Sequence, residues 1–125
     1  MKFDELSPPR IFTVGNNVKF DIYDCGRVAL EPDEQVTFTT EGGGELDVVR
    51  KDWGFYATPS LNGRLEEFGL RTALARNTET GRYFILIVEQ GKESAFDAYL
   101  VQESCEVIHW LDTSEALESL RQKIG

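Results

Sequence analysis

The stretch Arg82–Leu111, "RYFILIVEQGKESAFDAYLVQESCEVIHWL", decides the fold. It opens on "YFILIV", which is apolar at every position. That pattern predicts a strand covered on both faces and central in its sheet, with helices over one face. "SAFDAYLVQES" (94–104) predicts a helix: Ser94 and Asp97 have capping-box spacing, and Phe96, Tyr99 and Leu100 make an apolar stripe. "CEVIHWL" (105–111) returns to strand, and "DTSEALESLRQKI" (112–124) closes the chain as a helix. Asp112 or Thr113 is placed to cap it, while Glu115 in the first turn and Arg121 and Lys123 in the last suit the macrodipole. The tail therefore reads β-α-β-α, with Trp110 expected against the final helix. If strands 82–89 and 105–111 neighbour each other in parallel, a right-handed crossover joins them.

Working upstream, "LRTALAR" (70–76) and the turn "NTETG" make a hairpin with 82–89. Nearer the N-terminus, "RIFTVG" (10–15) and "VKFDIYD" (18–24) flank the turn pair "NN", and Val18, Phe20 and Ile22 alternate with Lys19, Asp21 and Tyr23. "RVAL" (27–30), "QVTFTT" (35–40) and "LDVVRKDW" (46–53) follow as strands, parted by "EPDE" and "EGGGE". The last of these turns is glycine-rich, but a β pattern follows it and Glu41 and Glu45 flank it, so it is a hairpin turn and not a phosphate cradle. The fold class is α+β. A mostly antiparallel, sandwich-like N-terminal part is followed by a C-terminal β-α-β-α segment packed on the sheet, all in one domain over residues 1–125. "VALEPDEQVTF" is similar in rhythm to the strand–turn–strand of a cupin sandwich. The His-x-His and further Glu and His of the metal-binding cupin signature are absent, so that similarity implies at most a metal-free relative and carries no function.

Composition narrows the partners. The net charge is −9, which repels phosphate backbones and anionic lipid, so nucleic acid and membrane surfaces are not expected. The opening "MKFDELSPPR" lacks the apolar run of a signal peptide, and the longest apolar run falls well short of the roughly 20 residues of a membrane span. A cytoplasmic chain is expected. Cys25 and Cys105 are too few for a disulfide framework and are expected to be buried, reduced thiols. His109 is the single histidine, and a zinc site needs three or four ligands, so no metal or other cofactor is expected. His109 shares a strand face with Val107 and is expected to be a hydrogen-bonded core or edge residue. It stands about 13 Å along the strand from Cys105, too far for a nucleophile–base pair.

Function is sought in "DWGFYATPSLNGR" (52–64), read as a long irregular connection. Gly54 between Trp53 and Phe55 suggests a bulge or a close backbone approach. Trp53 and Tyr56 offer platforms for a sugar or planar ring; Thr58, Ser60 and Asn62 offer hydrogen bonds; Lys51, Arg64 and Arg71 offer charge to a carboxylate or phosphate. Between Arg50 and Arg82 six bases meet four acids, a positive island in an acidic chain. The competing explanation makes the same aromatics the core and rim of a sheet corner. Two functional readings follow. One is a small binding or accessory domain that holds an anionic or sugar-like small molecule, or a partner protein segment, at residues 51–71. The alternative is an acid–base enzyme of sugar isomerase or epimerase type, working without metal on carboxylate, Tyr or His groups.

Overall fold

A computed structural model describes residues Met1–Gly125. In chain order the elements are β1 (Lys2–Val14), β2 (Phe20–Ala29), β3 (Gln35–Thr39), β4 (Glu45–Lys51), β5 (Gly54–Thr58), α1 (Arg64–Glu67), β6 (Leu70–Asn77), β7 (Tyr83–Glu89), α2 (Glu93–Gln102), β8 (Cys105–Trp110) and α3 (Ser114–Ile124). The strands form three small antiparallel sheets: β1-β2, β3-β4-β5 and β7-β6-β8. With the C-terminal helices this is an α+β fold, as the sequence pattern predicts, although the N-terminal strands stay in two separate sheets. No helix is long and apolar enough to cross a membrane.

Turn chemistry sets the hairpins. Gly15 has φ +116°, and a Cβ there would come within 2.0 Å of the Val18 carbonyl oxygen, so the β1–β2 turn requires glycine. Lys51 pairs with Gly54 across the two-residue loop Asp52-Trp53, and Gly54 takes φ +148°. The expected bulge at Gly54 is thus the closing residue of a tight hairpin. The stretch expected to be an irregular connection contains a strand, β5, over Gly54–Thr58. "EGGGE" closes the β3–β4 hairpin, where the Gly44 N–H donates to Thr40 Oγ1 at 3.0 Å.

The third sheet carries most of the core. Its middle strand is β6, in which Ala73 and Ala75 are fully buried, flanked by Leu70 and Thr72. β6 runs antiparallel to both neighbours, so β7 and β8 lie on either side of it and do not touch. This corrects the expectation of a central 82–89 strand beside 105–111. "YFILIV" is an edge strand with Tyr83, Phe84, Ile85 and Ile87 exposed. A run apolar on both faces has the same sequence signature whether it is covered within its own chain or left open.

The helices also depart from expectation. Trp110 meets Phe96 of α2 edge-on, with ring centroids 5.9 Å apart, whereas the neighbouring His109 Nε2 lies 2.8 Å from the Ala116 carbonyl oxygen of α3. Successive strand residues point to opposite faces, so α2 and α3 take opposite sides of the sheet and Trp110 does not face the final helix. His109 is half-buried and hydrogen-bonded, as expected. Pairing Leu74 with His109 and Ala75 with Val107 leaves Ile108 as the extra residue of a bulge. Thr113 caps α3, its Oγ1 accepting from the Ala116 N–H at 3.0 Å. The Ser94–Asp97 capping box does not form. α2 starts one residue earlier, with Lys92 at its N-cap and no side-chain cap, and the Glu93 carboxylate accepts the Gly91 N–H at 2.8 Å.

Candidate functional site

The residues singled out between 51 and 71 follow β5 and the turn after it, and their side chains separate. Trp53 and Tyr56 stack with centroids 6.4 Å apart and planes 21° from parallel, and both are open to solvent. Lys51 turns away to Asp33, and that hydrogen bond, with the carboxylate's charge, raises the ammonium pKa above its ordinary value. Thr58 is half-buried opposite Asp47 in the β4–β5 ladder. The Ser60 carbonyl takes the N–H groups of Gly63 and Leu65, which starts α1 and sinks Leu65 into the core. Asn62 donates to Ser114 Oγ at 3.2 Å, and Arg64 lies over the Phe68 ring at 5.3 Å. Arg71 donates to Asp112 Oδ2 at 2.7 Å while its guanidinium lies 4.0 Å from the centre of the Trp110 ring. Only Trp53 and Tyr56 among the eight are brought together, and what they form is an open platform. Phe55, 61% exposed, lies on the opposite face of β5 under the Arg50 guanidinium and is separate from that platform.

The concave site lies elsewhere. A cleft of about 360 Å³ opens between the β1–β2 turn, the β6–β7 turn and the end of α2, with Phe20, Thr80, Arg82, Phe84, Tyr99 and Glu103 on its walls. None of the eight residues above lines it. Glu103 is buried, and its Oε1 accepts the Asn16 N–H at 3.1 Å. Its carbonyl accepts from the side-chain amides of Asn16 and Asn77 at 3.0 and 3.1 Å. Burial, followed by the nearby Glu103 charge, raises the Tyr99 pKa, so this phenol stays protonated at neutral pH. Arg82 has no carboxylate within ion-pair distance. The cleft thus offers a cation, a phenolic donor and two aromatic walls. Sequence reading missed it because its walls come from three segments far apart in the chain. The one local signal was the pair Asn16-Asn17, whose amides tie the hairpin turn to Gln102, Glu103 and Ser104.

The thiols correct an expectation. Cys25 is exposed on the hairpin and only Cys105 is partly covered. Cys25 lies at the register break between the Glu5–Gly26 and Arg10–Asp24 pairs of a two-stranded ribbon that pairs with no other strand. Comparison with known families, curated proteins and solved structures finds no match for this chain.

Proposed function

We propose that the chain is a binding and accessory domain whose 51–71 region takes an extended, acidic segment of a partner protein along β5. One observation carries this reading: the outer edge of β5 is unpaired, and Trp53, Phe55 and Tyr56 are 69%, 61% and 45% exposed beside it. An open strand edge recruits another strand through main-chain hydrogen bonds, and pockets or platforms for alternate side chains add specificity. The excess of bases over acids between Arg50 and Arg82 favours an acidic segment. The test is a titration of Trp53 fluorescence with two ten-residue peptides, one alternating Glu and Val and one alternating Lys and Val. The acidic peptide should bind more tightly, salt should weaken it, and Tyr56→Ala should lose binding while the melting temperature holds. Equal binding of both peptides would reject the reading.

A second reading, an anionic and hydroxyl-rich small molecule, is favoured by the cleft, whose walls include both Tyr99 and Arg82, a cation that takes part in no ion pair. Calorimetric titration with a hexose phosphate, repeated on Arg82→Ala, separates the two. Binding that needs Arg82 and ignores Tyr56 supports the small molecule. The acid–base enzyme is less favoured, because the Glu103 carboxylate is already engaged by the Asn16 N–H.

A further inference from the structure

The chain buries too little of itself. Folded chains of 14.2 kDa expose about 6,800 Å². This one exposes 8664 Å², with only 12 of its 125 residues buried. The excess, about 1,900 Å², is the area that one chain contributes to an obligate homodimer, about 1,000–2,500 Å² per partner.

The largest share of the open apolar surface is on the β1–β2 ribbon. Its two strands pair only with each other. Its turn is tied to the α2–β8 corner through Asn16 and Asn17, and its base is tied by the N-terminal ammonium to Glu34. Cross-strand partners Ile11 and Tyr23 are 56% and 58% exposed on one face, and partners Phe12 and Ile22 are 38% exposed on the other. Toward the base, the partners Phe3 and Val28 are 55% and 45% exposed. An isolated two-stranded hairpin is marginal in water, and a ribbon apolar on both faces needs a cover on each. The body of its own chain reaches it only at the turn and the base. Residues 1–30 hold four bases and four acids, so the ribbon is neutral in a chain of net charge −9. Two copies of it meet without repulsion, while a charged partner finds no complementary field there. The apolar surface also continues beyond the ribbon, since Phe20 and the β7 residue Phe84 wall the same cleft.

We propose that the chain is a homodimer held by this N-terminal arm, with β1–β2 of each copy packed against a second copy of this chain. Light scattering on the full chain from about 1 to about 100 μM should give twice the mass of one chain, falling toward one chain only on dilution. Ile11→Thr with Tyr23→Thr keeps β propensity but removes the exposed apolar surface, and should give single chains throughout that range. Val101→Thr, at a site 80% exposed on α2, should leave the dimer intact. If the arm variant does not fold, labelling decides. In a Cys105→Ser background the Cys25 maleimide rate should drop about tenfold or more between dilute and concentrated protein, as mass action closes the interface. A single-chain mass at about 100 μM, a dimer insensitive to the arm substitutions, or a Cys25 rate independent of concentration would each overturn the proposal.

Discussion

Arg71 and Arg64 are the same residue type in the same stretch of sequence, and the fold gives them opposite roles. Arg71 is part-buried between Asp112 and the Trp110 ring, and the Asp112 side chain is 4% exposed. Removing one partner strands the other, so Asp112→Ala should cost about 2–4 kcal/mol in urea unfolding. Arg64, exposed over Phe68, should tolerate alanine within about 0.5 kcal/mol. Equal losses at both sites would remove the distinction. Nothing local in the sequence separates the two arginines, because the separation comes from Asp112, far along the chain. Cys105 supplies a pH test. Burial, then the Glu103 charge, raises its pKa, so the neutral thiol is favoured in the folded state. That contribution to stability is complete below the unfolded thiol pKa and is lost as pH rises through the folded one. In a Cys25→Ser background, the pH–rate profile for alkylating Cys105 should be displaced upward from that of the urea-unfolded chain. A coincident or lower profile would contradict the assignment.

The elements most legible in the sequence are those specified by contacts a few residues apart. The β1–β2, β3–β4 and β6–β7 hairpins follow from alternation and turn residues, and α3 from its cap and apolar spacing. The two expected caps give a direct comparison. Thr113→Ala removes the acceptor of the Ala116 N–H and should cost about 1 kcal/mol, whereas Ser94→Ala removes no cap bond and should be nearly neutral. A chain ending at Leu111 loses Asp112 together with the α3 partners of His109 and Asn62. It should aggregate or lose its cooperative melt, and a cooperative melt at wild-type temperature would make α3 an appendage. Which strand is central was not legible. β6 owes its place to Ala73 and Ala75, small side chains that fit between flanking layers, while the more apolar β7 lies at the edge. Hydropathy reports what a strand would bury, not whether its own chain supplies the cover. The cleft was hidden for a related reason: Arg82, Tyr99 and Glu103 meet only after three turns have closed.

At the scale of the whole molecule, charge and open surface pull in opposite directions. Outside the arm, residues 31–125 carry nine bases and eighteen acids, so the entire net charge of −9 resides in the part that holds the core. The seven ion pairs lie mostly at exposed positions and include both Arg121–Glu118 within one helix and Lys2–Asp4 within one strand. Pairs of that kind contribute about 0–1 kcal/mol each. Like-charge repulsion among the surplus carboxylates therefore outweighs them, and association of two copies brings two such bodies together around a neutral arm. Salt screens the repulsion with a Debye length near 10 Å at about 0.1 M. Raising sodium chloride from about 0.02 to about 0.3 M should lift the melting temperature by about 2–5 °C and should tighten self-association together with it. Thermal melts and light scattering across the same salt series check both effects. A melting temperature that falls with added salt would mean that attractive pairs such as Arg71–Asp112, not the surplus acids, dominate the electrostatic balance of the fold.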